Sequence, residues 1–149
     1  MQKKIIIGSD HGGFNLKQKI IEHLKSNGYE IDNVGCFSEE SCDYPVIAKQ
    51  VCEKVISENT LGILDCGTGL GMSIYANKVK GIRASHCTDT FSARLTRQHN
   101  DSNILCLGER ITGSGLALDI VDEWLNASFE GGRHQRRVDM INELDMERN

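Results

Sequence analysis

Short β-branched apolar runs alternate with amphipathic helical stretches along the whole chain, and this alternation limits the possible folds more than any other feature. Lys4 to Ser9, Tyr29 to Val34, Leu61 to Asp65, Ile82 to Ser85 and Asn103 to Leu107 read as strands. Between them, Leu16, Ile20, Ile21 and Leu24 make a helical stripe over 14–27, and Ile47, Val51 and Val55 make another from Pro45 to about Ser57. Gly28 stands where a helix C-terminal glycine belongs, and Pro45 suits a first helical turn. Further helices are expected over Met72–Lys78, Phe91–Gln98 and Gly115–Leu125, the last with Leu118, Val121 and Leu125 on one stripe and Trp124 beside it. After Gly131-Gly132 a final helix carries Val138, Ile141 and Leu144. Apolar strands buried on both faces and separated by helices predict an α/β protein: a three-layer α/β/α Rossmann-like fold with a five-stranded parallel sheet.

The 149 residues suit one domain over 1–149, and no repeat or linker divides them. A net charge of −4 argues against a nucleic-acid partner. No apolar run approaches the ~18 residues of a membrane span, and Ile5-Ile6-Ile7 is too short for a signal peptide. A cytoplasmic protein with reduced thiols is therefore expected. The six cysteines form no CxxC pair, so no metal site is indicated, and each is first read as a small buried hydrophobe.

Ligands of open parallel sheets bind at the carboxyl ends of strands. There the sequence places Asp10-His11 after the first strand, Cys66 and a glycine loop after the third, and Gly108-Glu109-Arg110 after the fifth. The segment Gly8 to Gly13 fails as a dinucleotide fingerprint because Asp10 replaces the second glycine, and fails as a P-loop because Phe14-Asn15 follow Gly13. No nucleotide cofactor is expected. Gly67-Thr68-Gly69-Leu70-Gly71 lies between a strand and a helix, so its backbone N–H groups can receive an anion. Cys66 precedes that loop, and a thiol at a helix N-terminus gives up its proton more readily. Strand alternation sends Asp65 to the opposite face. His99 and His11 are ambiguous alone. Arg133, His134, Arg136 and Arg137 place positive charge at a helix start, where it opposes the dipole unless an anion such as phosphate is near.

The chain resembles the type B ribose-5-phosphate isomerases, a group that includes the galactose-6-phosphate isomerase subunits. The matching stretches are Gly8-Ser9-Asp10-His11-Gly12-Gly13-Phe14, Asp43-Tyr44-Pro45, Cys66-Gly67-Thr68-Gly69, Asn77-Lys78, Gly81-Ile82-Arg83-Ala84, Arg97-Gln98-His99-Asn100-Asp101 and Glu130-Gly131-Gly132-Arg133-His134. They run in order over nearly the whole sequence. The resemblance implies interconversion of ribose 5-phosphate and ribulose 5-phosphate through a cis-enediolate, without metal or cofactor. It implies Cys66 as the base, Thr68 as the hydroxyl that moves a proton between the sugar oxygens, His99 as the acid in ring opening, and Asp10 on sugar hydroxyls. Gly67, Gly69, Leu70 and Gly71 would hold the enediolate and Asn100 the sugar. His11, Arg110, Arg133 and Arg137 would hold the phosphate. A homodimer or dimer of dimers, with the site between subunits, is also implied. Asp65 departs from the apolar residue common before the cysteine.

Two other readings stay open. One is the same chemistry on a hexose 6-phosphate such as allose or galactose 6-phosphate. The other is a sugar-phosphate sensor without catalysis, which would need neither Cys66 nor Thr68 nor His99.

Overall fold

The computed structural model describes residues 3–148. The strands are β1 (Lys4–Ser9), β2 (Glu30–Val34), β3 (Leu61–Cys66), β4 (Ala84–His86) and β5 (Ile104–Gly108). The helices are α1 (Phe14–Ser26), α2 (Tyr44–Glu58), α3 (Leu70–Ala76), α4 (Thr90–Asn100), α5 (Ser114–Asn126) and α6 (Arg133–Glu147), and a single 3-10 turn, His11–Gly13, leads into α1. The strands form one parallel sheet in the order β2-β1-β3-β5-β4. Local sequence explains most boundaries. Tyr29 N–H returns to the Leu24 carbonyl around Gly28, closing α1. Asp89 accepts from Ser92 N–H at 2.6 Å and opens α4.

Both faces of the sheet are covered. On one, Ile5, Ile7, Ile63, Leu105 and Leu107 pack with α1 and α5. On the other, Ile6, Leu64, Cys66, Ile104 and Cys106 pack with α2 and α3. From β1 the chain moves out to β2 under α1, then returns past β1 to β3 over α2. Connections therefore leave in opposite directions at β1 and β3, and their carboxyl ends flank the crevice of a doubly wound sheet. The two unusual loops, Asp10–Gly13 and Gly67–Gly69, emerge there.

Four expectations need correction. The fourth strand is Ala84–His86, not Ile82–Ser85, because Ile82 closes a turn onto the Val79 carbonyl before the chain reaches β5. The third helix spans Leu70–Ala76 instead of Met72–Lys78, because the left-handed Gly69 starts it two residues earlier. Trp124 is fully buried and Leu118 lies at the core's edge, because Trp124 N–H reaches the Ser102 hydroxyl at 2.9 Å. On α6 only Val138 of the expected stripe is buried, while Ile141 and Leu144 are about half exposed. No helix among the described residues is long and apolar enough to cross a membrane.

Candidate active site

Three loops meet at the carboxyl ends of β1, β3 and β5. Asp10 Oδ1 accepts the N–H groups of Gly12 and Gly13 at 2.9 and 3.2 Å, so one carboxylate oxygen is spent on folding its own turn. The Asp10 N–H bonds the Asp65 carbonyl, which ties this turn to β3. His11 Nδ1 accepts the Cys42 N–H at 3.2 Å. That bond leaves the ring hydrogen of neutral His11 on Nε2, ready to donate to an anion.

Cys66 ends β3 and is 5% exposed. Its Sγ accepts the Gly69 N–H at 3.0 Å. Gly69 reaches this position at φ +82, a conformation that favours glycine. A Cβ there would also stand 2.7 Å from the His86 ring and 2.9 Å from the Leu107 backbone. Thr68 Oγ1 accepts the Leu70 N–H at 3.2 Å, which frees the hydroxyl hydrogen for another acceptor. The loop is clamped to β5, since Glu109 and Arg110 N–H donate to the Cys66 and Gly67 carbonyls. The Arg110 guanidinium lies directly over Gly67. Beside the helix start, the Tyr44 ring stands against Gly71. One mouth thus holds a sulfur, a free hydroxyl, a carboxylate, an imidazole and a guanidinium.

The remaining expected residues form a second group. His99 and Asn100 end α4, and Arg133 and Arg137 lie exposed on the first turns of α6. His99 and His134 stack with ring centroids 4.1 Å apart. Glu130 Oε1 lies 3.6 Å from both Nε2 atoms. Burial lowers the His134 pKa, and neighbouring His99, Arg133 and Arg137 push it the same way. Among the described residues no hydrogen bond or ion pair joins this group to the Cys66 loop. His86, whose ring stands against Gly69, lines one small cavity with Asn100, while His99, Arg133 and Arg137 make no polar contact with the residues around Cys66 among the described residues.

Several neighbours escaped the sequence reading. His86 and Tyr44 shape the glycine loop, while Glu109, named only for its place at a strand end, accepts the Leu16 N–H on Oε1 at 2.6 Å and holds α1 to the end of β5. Tyr44 sits in a matching stretch, whereas His86 carries no local signal. Reading all the other cysteines as buried hydrophobes holds for Cys52, Cys87 and Cys106 but not for Cys36 and Cys42. These two are half-buried and interact with each other, because the 35–43 loop folds back on itself. Burial raises the Cys42 thiol to about 11, while the Cys42 hydrogen bond lowers Cys36. A cavity of about 660 Å³ opens between Lys4, Asn59, Arg83 and Arg97, at the amino end of the sheet and away from this chemistry.

Asp65 faces α1, as alternation predicts, and is fully buried with neither carboxylate oxygen hydrogen-bonded to protein. Burial raises its pKa well above 3.8, opposed by Lys17 and reinforced by Glu109 and Asp10. Lys17, also fully buried, donates to the Cys36 carbonyl at 2.6 Å, and burial lowers its pKa. A raised acid binds its proton more tightly folded than unfolded, so its contribution is complete below the unfolded value and is lost as pH rises through the folded one. Asp65→Asn cannot titrate. Its stability relative to wild type should therefore grow from about pH 4 upward, read by denaturant unfolding at several pH values. A constant difference across that range would contradict a raised Asp65.

The Ribose/Galactose Isomerase family model matches residues 5–141. The chain is 51% identical to ribose-5-phosphate isomerase B of Escherichia coli (strain K12), covering 99% of each sequence. A ribose-5-phosphate isomerase B structure from Clostridium thermocellum superimposes with a TM-score of 0.95 at 56% identity, covering 97% of this chain and 98% of that one. The Mycoplasma genitalium enzyme, solved with bound ribulose-5-phosphate, superimposes with a TM-score of 0.94 at 43% identity, covering 99% of both. Agreement in sequence and backbone over almost the full length, together with the strand-end chemistry, places the chain in the ribose/galactose isomerase family.

Proposed function

We propose that this protein interconverts ribose 5-phosphate and ribulose 5-phosphate through a cis-enediolate, with Cys66 as the base. The observation that carries this reading is the Cys66 sulfur, capped by the Gly69 N–H in a loop that also presents a free Thr68 hydroxyl. His99 gives a proton to the ring oxygen as the furanose opens. The Cys66 thiolate then takes the C2 proton of the aldose and returns it at C1. Thr68 relays a proton between O1 and O2. The Gly69 and Leu70 N–H groups are committed to Sγ and Thr68 Oγ1, so the Gly67, Thr68 and Gly71 N–H groups are left to take the developing oxyanion, an electrostatic task. Asp10 offers its second oxygen to a sugar hydroxyl. His11 and Arg110 offer donors to the phosphate at this mouth, and Arg133 and Arg137 offer charge from the second group. Free cysteines, one of them the base, suit a reducing cytoplasm.

The test is isomerisation of ribose 5-phosphate by the purified protein, beside allose and galactose 6-phosphate. Pentose turnover supports the reading. Turnover of a hexose phosphate alone would change the substrate, and binding without turnover would leave a sensor.

The lack of any polar contact between His99 and the Cys66 loop within the described chain supports a homodimer in which α4 and α6 of one subunit complete the mouth of the other. Leu70, Ile74 and Phe91, at least half exposed on α3 and α4, supply apolar surface for such a contact. Cys66→Ala and His99→Ala dimers should each be inactive on the furanose. Unfolded and refolded together in equal amounts, they should recover about a quarter of wild-type turnover, because half the dimers then hold one intact site. Recovery of none would place Cys66 and His99 in the same chain's site.

A further inference from the structure

The proposed mechanism uses neither the Cys36 nor the Cys42 thiol, and these are the two cysteines that the core leaves half-buried. The 35–43 loop folds so that the two free thiols stand side by side, joined by a side-chain hydrogen bond. Both ends of this loop are anchored. The Cys36 N–H donates to the Ser9 carbonyl at 2.6 Å, and Lys17 Nζ donates to the Cys36 carbonyl at 2.6 Å. The Cys42 N–H donates to His11 Nδ1 at 3.2 Å. Residues 37–41, between the anchors, are exposed, so a small solute reaches the pair from solvent. Two thiols already in contact need only a short approach to form a sulfur–sulfur bond of about 2.05 Å. The pair is also unequal. The Cys42 hydrogen bond lowers the Cys36 pKa and Lys17 acts in the same direction, while burial raises Cys42 to about 11. Cys36 is therefore the readier thiolate, and Cys42 keeps its proton. By contrast, Cys52, Cys87 and Cys106 are buried, and burial raises each thiol.

We propose that Cys36 and Cys42 form a reversible disulfide on exposure to a hydroperoxide, and that this disulfide weakens substrate binding through His11. The Cys36 thiolate attacks the peroxide, the O–O bond breaks, and Cys36 becomes a sulfenic acid as the leaving oxygen takes a proton. The Cys42 sulfur then attacks the Cys36 sulfur, the S–O bond breaks, and the hydroxyl leaves as water with the Cys42 proton. Each sulfur gives up one electron overall, and the peroxide takes both. Drawing Cys42 toward Cys36 moves the N–H that holds His11 Nδ1, so the ring loses the bond that keeps its hydrogen on Nε2. The effect on binding rests on the proposed phosphate role of His11; the disulfide does not.

The experiment treats the reduced, purified protein with equimolar hydrogen peroxide, blocks free thiols with iodoacetamide and digests with trypsin. Tryptic peptide 26–49 carries both cysteines and no other. It should lose two hydrogens and escape alkylation, and dithiothreitol should restore both thiols. The oxidised protein should show a Michaelis constant for ribose 5-phosphate raised about tenfold, as for a lost hydrogen bond to a charged group, with kcat kept. Cys36→Ser should match reduced wild type and show neither change. Cys42→Ser should leave a Cys36 sulfenic acid that dimedone captures. Full alkylation of peptide 26–49 in peroxide-treated wild type would overturn the proposal. A disulfide with an unchanged Michaelis constant would retain the site and overturn the regulation. A fall in kcat that persists in Cys36→Ser would place the oxidation at Cys66 and overturn the regulation too. Failure of the isomerase reading appears separately, as absence of turnover in the reduced protein.

Discussion

Cys66→Ala is expected to lower ribose 5-phosphate turnover by about 10²–10⁴-fold, the usual contribution of a positioned general base. The Michaelis constant should move little, because in the proposed mechanism the sulfur meets the sugar at the carbons that exchange a proton and the phosphate is held elsewhere. Cys66 is buried at the end of β3 with its sulfur against the Gly69 N–H. Alanine removes the sulfur and keeps the backbone, so the loop should persist and substrate should still bind. The check is steady-state kinetics on the pentose with a separate binding titration. Turnover above about a tenth of wild type would exclude Cys66 as the base, since a base contributes at least about a hundredfold.

Gly69→Ala should be the next most damaging change. Its cost has two parts. The added methyl must occupy a left-handed backbone position, at roughly 1–2 kcal/mol. It also stands 2.7 Å from the His86 ring and 2.9 Å from the Leu107 backbone, so something must move. The His86 side chain can yield, but the β5 backbone cannot yield cheaply, so the 67–71 loop shifts. That shift pulls the Gly69 N–H off the sulfur and displaces its neighbouring donors. A fall in kcat of about 10²–10³ is expected, as when an oxyanion donor is lost. Global stability should drop by roughly 1–3 kcal/mol, as for other overpacked positions. Circular dichroism and thermal unfolding beside the kinetics separate the two effects. Wild-type kcat in a folded Gly69→Ala protein would show that the loop's geometry is not used in catalysis.

Much of this architecture was legible along the chain because its signals are local. Gly28 announced the end of α1, and Pro45 the start of α2. Short continuous β-branched runs and period-3.6 apolar stripes separated strands from helices. Boundaries slipped where a tertiary contact overrode the pattern. Ile82 is apolar enough for a strand, yet it closes a turn and buries its side chain against α2 and α3. Trp124 looked peripheral to its stripe and is in the core, because the Ser102 hydroxyl, from the turn before β5, satisfies its N–H. The Ile141 and Leu144 stripe is amphipathic as read, but this chain alone does not bury it.

The sequence alone determined the secondary elements, the parallel class of the sheet and the unusual residues at the strand ends. These depend on side-chain period and turn chemistry within short windows of chain. The tertiary structure decided the strand order, and with it that Asp10, Cys66 and Arg110 open on one crevice. It also decided that His99 and Arg137 make no polar contact with the Cys66 loop among the described residues. It set the free thiol of Cys36 beside that of Cys42, buried Asp65 near Lys17, and set His99 against His134 and Glu130. Each of those is a meeting of side chains distant in sequence, or on the far sides of a turn. Such meetings arise from how whole elements pack, and no periodicity within a single element encodes which distant neighbour its side chains will find.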